Sequence, residues 1–244
     1  MSEHLHWDPL LIQRYNRAGP RYTSYPTALE FAPVAAGQEA QILAQREASR
    51  PLSLYVHIPF CAHLCYYCAC NKIVTKKRGQ AADYLDVLKR EIHQKAALLR
   101  AAGRLSVVEQ VHFGGGTPTF FSDAQLSELW QCLREAFEFS TAQTADFSIE
   151  IDPRELRPTT LATLKTLGFN RLSFGVQDID PVVQKAVNRV QPLALVQSVM
   201  QAARRLGFGS INIDLIYGLP HQTVPGFAQT VAAILALQPD RLSV

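Results

Sequence analysis

One stretch decides the fold, residues 52–70, which reads LSLYVHIPFCAHLCYYCAC. Its first part, residues 52–58, predicts a β-strand, and Pro59 ends the strand because proline has no N–H to donate to a ladder. Four of the five cysteines of the chain follow within ten residues, as Cys61, Cys65, Cys68 and Cys70. We therefore expect these cysteines on a loop that leaves the end of a strand, where rigid scaffolds usually carry their chemistry.

Strand and helix patterns alternate through the rest of the chain. We predict strands at 52–58, 107–113, 146–151, 171–176 and 211–217, with 241–244 as the start of a sixth. Helices are predicted at 81–101, from a capping box of Ser122 and Gln125, from Pro158 to Gly168, near 181–188, at 192–206 and at 224–237. Successive β–α units with helical crossovers require parallel strands, which gives an α/β fold.

Such units form either a doubly wound sheet or a barrel. The candidate functional side chains fall at the C-terminal ends of strands, which is typical of barrels, although doubly wound sheets bind ligands there too. Residues 1–50 lack a strong period and are expected to form an extended, substrate-side arm, with the barrel at 51–244. Because the chain stops inside a predicted strand, we expect a truncated barrel, a fragment of a longer protein whose missing part completes the barrel.

Composition excludes several classes of protein. The 244 residues are 48% hydrophobic and 18% charged, with a formal net charge of +3. This composition suits a large core, and the short run Lys76-Lys77-Arg78 does not indicate nucleic-acid binding. No stretch approaches the ~20 apolar residues of a membrane helix. We expect a cytoplasmic location, where clustered thiols bind metal or do redox work.

The cysteine spacing leaves three interpretations open. Three thiolates spaced x3 and x2 on a loop can hold three corners of an iron–sulfur cube and leave one iron open. Structural zinc usually takes four ligands in two pairs, and a redox dithiol is the third alternative; Cys70 is the main ambiguity. Cys132 lies apart, on the apolar face of a predicted helix, and is interpreted as a packing residue.

Several motifs, taken together, resemble a known family. The spacing Cys61-x3-Cys65-x2-Cys68, with Tyr67 before the last cysteine, resembles the radical S-adenosylmethionine (SAM) superfamily. Further stretches look like the oxygen-independent coproporphyrinogen III oxidases: residues 20–27 (PRYTSYPT), 55–60 (YVHIPF), 68–72 (CACNK), 114–119 (GGGTPT) and 212–220 (NIDLIYGLP). The resemblance implies a partial (β/α)6 barrel, one [4Fe-4S] cluster and two SAM molecules.

The resemblance also assigns residues. It implies that Cys61, Cys65 and Cys68 are the cluster ligands and that Cys70 is not. For the first SAM it implies Tyr55, Gly115 and Glu150, and for the second Tyr67, Gly116, Thr117, Gln177, Arg189 and Asp214.

The implied reaction converts two propionates of coproporphyrinogen III to vinyls, in haem biosynthesis. The implied partners are this porphyrinogen and a one-electron donor such as a flavodoxin-type protein, with the chain a monomer that binds neither nucleic acid nor membrane. Since the substrate is a tetracarboxylate, we predict that Arg14, Arg17 and Arg21 contact it. Two alternatives are a haem-binding relative without oxidase activity and a zinc-stabilised structural module. We expect the 244-residue chain to bind a cluster but to turn over little substrate.

Overall fold

The structure is a computed structural model that describes residues 8–16, 27–35 and 37–244. It divides into two compact units, Met1–Gln41 and Ile42–Val244. The predicted boundary near residue 50 stays a prediction. Of the three arginines predicted to meet the substrate, Arg14 lies in a short helix, whereas Arg17 and Arg21 lie outside the described residues.

That short helix is α1, Pro9–Tyr15, which the sequence analysis did not predict. Its N-terminus is capped by Asp8, whose Oδ1 accepts hydrogen bonds from the backbone N–H groups of Leu10 and Leu11 at 3.0 Å. Helix α2 follows at Gln38–Ala44.

A six-stranded parallel sheet forms the centre of the second unit. In sheet order its strands are β1 (Leu52–Ile58), β4 (Val108–Gly115), β5 (Asp146–Ile151), β6 (Arg171–Gln177), β7 (Ser210–Leu215) and β8 (Arg241–Ser243). The spatial order follows the chain order without a reversal. A doubly wound sheet reverses its strand order at a switch point, so the structure confirms the α/β class and the partial barrel.

Helices connect these strands and cover one face of the sheet. Their bounds are α3 (Gln80–Ala101), α4 (Asp123–Ala136), α5 (Thr160–Leu167), α6 (Pro181–Ala186), α7 (Leu193–Arg205) and α8 (Val224–Leu235). Each lies within a few residues of its predicted position. As predicted, Cys132 is buried on α4. No helix in the described ranges is both long and apolar enough to cross a bilayer.

The two faces of the sheet differ in chemistry because side chains alternate along each strand. Apolar residues such as Val56, Phe113 and Ile149 are buried on the helix-covered face. Parallel pairing brings polar residues of the opposite face into rows, for example Glu150 beside Ser173. The same sheet therefore supplies both a hydrophobic core and a polar inner surface.

A second, two-stranded sheet was not predicted. Strand β2 (Phe60–Cys61) pairs in parallel with β3 (Ile73–Val74), on either side of the cysteine loop. The backbone N–H of Ile73 donates to the carbonyl of Pro59 at 2.7 Å, and that of Thr75 donates to the carbonyl of Cys61 at 2.9 Å. Strands of two residues are too short to produce a periodic pattern, so the sequence carried no signal for them.

The predicted capping box is present at the start of α4. Ser122 Oγ accepts from the N–H of Gln125 at 3.2 Å, and Gln125 Oε1 accepts from the N–H of Ser122 at 2.9 Å. The predicted end of α5 is also present, because Gly168 caps it with a positive φ of 101°.

Asp123, in the first turn of α4, connects that helix to the segment before α5. Its Oδ1 accepts from Arg157 Nη2 and from Thr160 Oγ1, each at 2.7 Å. Burial opposes the charged form, but hydrogen bonds from Thr159, Thr160 and Arg157 outweigh it and lower the pKa of Asp123. The folded state therefore binds a proton here less readily than the unfolded chain does.

We predict that Asp123→Asn lowers the free energy of unfolding at neutral pH by about 1–3 kcal/mol, because charged hydrogen bonds are lost. A lowered pKa contributes stability above the unfolded value near pH 4, and this contribution is lost as the pH falls through the folded value. The parent chain should thus lose more stability between pH 7 and about pH 3 than the variant does. Urea unfolding at both pH values measures this difference.

The control is Asp83→Asn, because Asp83 is also an acidic residue in the first turn of a helix, α3, but is exposed. Asp83→Asn should lose as much stability as the parent when the pH falls from 7 to about 3. An equal loss of stability in acid for the parent and Asp123→Asn would contradict the assignment.

Candidate functional site

A cavity of about 310 Å³ opens at the C-terminal ends of the central strands. Its walls come from the cysteine loop after β1, from the ends of β4 to β7 and from the segments that follow them. The lining residues are Cys61, His63, Cys65, Tyr67, Cys68, Cys70, Lys72, Gly115, Gly116, Thr117, Glu150, Ile151, Asp152, Arg154, Ser173, Gly175, Gln177, Arg189 and Asp214. The cavity is therefore rich in thiols, charged groups and backbone.

Most of the residues predicted from sequence meet at this cavity. All three predicted cluster ligands line it, and so do eight of the nine predicted SAM contacts: Tyr67, Gly115, Gly116, Thr117, Glu150, Gln177, Arg189 and Asp214. Because they come from separate elements across the chain, their meeting is a property of the fold. The role of each residue stays a prediction.

Tyr55, the ninth predicted SAM contact, stands beside the cavity without lining it. Its hydroxyl lies 3.0 Å from His57 Nδ1, and its ring stacks on that of His112 with centroids 5.8 Å apart. His57 Nε2 carries the ring proton, since it lies 2.9 Å from the carbonyl oxygen of Asn71, which only accepts. In the tautomer with this proton on Nε2, the Tyr55 hydroxyl donates to Nδ1. Burial and the nearby Glu150 raise the pKa of Tyr55.

The cysteine loop is held at several points by backbone contacts. Cys61 belongs to β2, and the N–H of Cys68 donates to the carbonyl of Cys65 at 3.1 Å. Asn188 Nδ2 donates to the carbonyl of Leu64 at 2.7 Å, and the N–H of Tyr66 donates to the carbonyl of Val187 at 3.1 Å. The loop is thus attached to the segment after α6.

Tyr67 anchors the middle of the loop in an apolar pocket. It packs against a small hydrophobic cluster of Val183, Val187 and Leu219. Burial raises the pKa of the Tyr67 phenol well above its usual value. Packing of this ring fixes the position of the loop just before Cys68.

Two of the four clustered thiols have a raised pKa. Burial raises the pKa of Cys61. A hydrogen bond from Thr117 Oγ1, 3.7 Å from Cys61 Sγ, lowers this pKa but does not outweigh burial. Burial also raises the pKa of Cys70, with neighbouring Cys68 contributing. Thiols with raised pKa values stay protonated until a metal displaces the proton.

Soft thiolate donors at one cavity fit an iron–sulfur cluster. Three predicted ligands line the cavity, and its volume leaves room beside them for a further ligand. In the part of the chain that the structure describes, no three His, Cys, Asp or Glu side chains form a site for a single metal ion.

Glycines at the end of β4 let backbone segments approach closely. A Cβ on Gly116 would lie 2.7 Å from the backbone C and O of Pro59 and from the carbonyl oxygen of Phe60. Gly115 has φ of 115° and donates its N–H to Glu150 Oε2 at 3.2 Å. Glu150 Oε1 also lies 3.2 Å from His112 Nε2. Glycine is required at position 116 because the end of β4 passes directly against the start of the cysteine loop.

Gln177 ends β6 in a left-handed conformation, with φ of 73°. Non-glycine residues seldom adopt this region, and such strain concentrates at functional sites. The preceding Gly175 leaves space for two side chains, since a Cβ there would lie 2.9 Å from Arg189 Nη2 and 3.1 Å from Gln177 Nε2.

Sequence reasoning missed several lining residues, chiefly Asp152 and Arg154. Asp152 follows β5 in alternation with Glu150, so its position at a strand end was a usable signal. Arg154 lies in the 3₁₀ turn Pro153–Glu155, which has no periodic signature. Arg189 was predicted by resemblance alone and is only 7% exposed, although its position in the sequence suggested a surface residue.

Comparisons with known proteins agree with this geometry. A model of the radical SAM superfamily matches residues 55–234. The chain is 54% identical over 247 aligned residues to an oxygen-independent coproporphyrinogen III oxidase of Pseudomonas aeruginosa, covering 100% of this chain and 53% of the relative. With the protein of that name from Escherichia coli it shares 52% identity, covering 99% of this chain and 52% of the relative.

Solved structures show the same relationship. Coproporphyrinogen III oxidase from Escherichia coli, described as a radical SAM enzyme, superposes with a TM-score of 0.86 at 50% identity, covering 98% of this chain and 52% of that one. A methylornithine synthase gives a TM-score of 0.53 at 14% identity, covering 83% of this chain and 56% of that one, and shows the fold alone. The chain spans about half the length of the curated relatives it matches.

We predict that Gly116→Ala destabilises the chain by about 1–3 kcal/mol, because the new Cβ would meet backbone atoms that have no rotamer to change. Gly209→Ala is the control, since the nearest atom to its Cβ would be the carbonyl oxygen of Asn170 at 3.9 Å. That variant should change stability by less than about 0.5 kcal/mol. Denaturant midpoints measure both, and equal losses would show that the close approach at Gly116 is not a constraint.

Proposed function

Because the chain belongs to the radical SAM superfamily, we propose that Cys61, Cys65 and Cys68 hold a [4Fe-4S] cluster and that the adjoining cavity binds SAM. The observation that carries the proposal is that one cavity collects these three thiols with eight residues that the sequence resemblance assigns to SAM binding. Three protein ligands leave one iron free, as a site that must bind a further ligand requires. Cys70 lies beside Cys68 and is proposed not to be a ligand.

The chemistry needs such a cofactor. A reduced cluster held by Cys61, Cys65 and Cys68 would supply one electron for the reductive cleavage of SAM, chemistry that allows hydrogen abstraction from an unactivated carbon. The side chains that line the cavity bind and orient the cofactor. The Glu150 carboxylate is fixed by His112 and by the Gly115 N–H, and it presents a negative charge toward the cavity.

A second group of residues is proposed to bind the second SAM. Asp214 accepts from Ser173 Oγ at 3.1 Å and from Asn212 Nδ2 at 2.7 Å, so its carboxylate is held in place on the inner face. Gln177 and Arg189 lie on the neighbouring wall, where the glycine at 175 leaves them room. Tyr67, Gly116 and Thr117 complete this proposed group.

For the substrate we propose coproporphyrinogen III, with two propionates oxidatively decarboxylated to vinyls to give protoporphyrinogen IX. The support is the identity of 52–54% to relatives named for that oxidation. Arg14, Arg17 and Arg21 are proposed to meet the substrate carboxylates. We further propose that the protein works as a monomer in the cytoplasm with a flavodoxin-type electron donor.

The ligand assignment is tested with a cysteine series. After anaerobic reconstitution, we expect about four iron and four sulfide per chain in the parent and in Cys70→Ser, because the open corner needs no fourth thiolate. Cys61→Ser, Cys65→Ser and Cys68→Ser should each lose most of the cluster. Iron and acid-labile sulfide analysis measures the outcome.

Cys132→Ser is the control, since this buried cysteine lies 3.5 Å from His93 Nε2 and belongs to the helical layer. It should retain the cluster. One zinc per chain without sulfide would favour the structural zinc alternative, and loss of the cluster in Cys70→Ser would contradict the three-ligand assignment.

The substrate is tested by anaerobic incubation of the reduced, reconstituted protein with SAM and coproporphyrinogen III. We expect the 244-residue chain to form 5'-deoxyadenosine but little vinyl-bearing porphyrinogen, and a longer natural form to give both products, each measured by mass spectrometry and lost in Cys68→Ser. The assay compares the 244-residue chain with any longer natural form of it. Tight haem binding with no decarboxylated product in every form would instead support the haem-binding alternative.

A further inference from the structure

Two buried charged side chains, Asp152 and Arg189, and the partly buried Arg154 surround Cys65. Its Sγ lies 3.4 Å from Arg189 Nη1 and 3.5 Å from Arg154 Nη2. Between the two guanidinium groups is Asp152, whose Oδ2 accepts from Arg154 Nη2 at 2.6 Å and from Arg189 Nη1 at 3.1 Å. Cys65 is 8% exposed, and so is Asp152.

The charges of this group do not balance without an anion. Burial opposes ionisation of Asp152, but Arg154 and Arg189 outweigh it and lower the pKa of this carboxyl. At neutral pH the group therefore holds two positive charges and one negative charge. An excess buried charge is unfavourable unless it is paired, and Cys65, as a metal-bound thiolate, is an anion within reach of both guanidinium groups.

Arg154 is held by more than one contact. Its Nε donates to Asp152 Oδ1 at 3.0 Å, and its Nη1 donates to the carbonyl of Asn188 at 3.4 Å. Asp152 Oδ1 also accepts from the backbone N–H of Arg154 at 3.0 Å, which closes the turn after β5. A planar guanidinium with several fixed partners directs its remaining N–H toward Cys65.

We propose that Arg154, oriented by Asp152, is a positioning residue that donates an N–H···S hydrogen bond to Cys65 and raises the reduction potential of the cluster. The inference rests on the proposed cluster ligands and assigns a role to a residue outside the proposed ligand and SAM sets. Reduction adds one electron to the cluster, and a nearby positive charge and hydrogen bonds to sulfur both favour the more negative state. Arg189 also contacts Cys65 Sγ, but it is already proposed to bind SAM. A substitution of Arg154 therefore tests the effect on the reduction potential without removing a proposed SAM contact.

The experiment measures the cluster potential in the reconstituted chain without SAM. Arg154→Gln removes the positive charge and the planar guanidinium with its several N–H donors. Arg154→Lys keeps a positive charge, but a single ammonium group cannot bridge Asp152 and Cys65 in the same way. Arg157→Gln is the matched control, because Arg157 is three residues further on and binds Asp123 and the carbonyls of Thr119 and Phe121. Dithionite titration followed by electron paramagnetic resonance reports the oxidised-to-reduced ratio at fixed potential.

In Arg154→Gln we expect this ratio to rise about tenfold, which for one electron is a shift of about 59 mV to lower potential. Arg154→Lys should fall between the parent and Arg154→Gln, and Arg157→Gln should match the parent while losing stability. If Arg154→Gln assembles too little cluster to titrate, the oxidised-to-reduced ratio of the cluster in Arg154→Lys becomes the test. A ratio equal to that of the parent would then overturn the proposal.

Two results would overturn the inference in different ways. A parental potential in Arg154→Gln with full iron and sulfide would show that Arg154 has a structural role alone, and it would leave the proposed ligands intact. Absence of iron and sulfide from the reconstituted parent would overturn the proposed function and this inference together.

Discussion

The parallel pairing of six strands is the constraint on which the rest of the structure depends. Because every strand runs in the same direction, all their carboxyl ends lie at one rim, and each following loop starts there. The strict alternation of side chains then assigns one face to the apolar core and the other to polar groups. A one-residue slip of β5 would move Glu150 into the core and Ile149 onto the inner face.

The rim collects groups that would be unfavourable elsewhere in the molecule. Buried charges are tolerated at the ends of β5 and β6 because they pair with one another, as Asp152 does with two arginines. Close backbone approach is tolerated at the end of β4 because the residues there are glycines. Positive φ at Gln177 is held by the packed strands around it. The site thus concentrates charge, strain and thiols where a rigid sheet can support them.

Long periodic elements were predictable from the sequence, and short or long-range features were not. The strands at 52–58 and 146–151 were predicted at their observed bounds, because apolar alternation and flanking turn residues mark them. Helix α1 and the two-residue strands around the cysteine loop were not predicted, because neither is long enough to show a clear periodic pattern of apolar residues. For the site, the cysteine spacing and the motifs named eleven of the nineteen lining residues, but the pairing of Asp152 with Arg154 and Arg189 depends on distances that only the fold determines.

The two-stranded sheet around the cysteine loop affects how the loop behaves without its cofactor. Pairing of β2 with β3 brings the ends of segment 62–72 together through backbone hydrogen bonds alone. The entropy of closing that loop, which grows with the logarithm of its length, is therefore lost during folding and not during assembly of the metal centre. Loss of the proposed cluster would therefore leave a segment that the parallel β2–β3 pair still closes, and not a free chain.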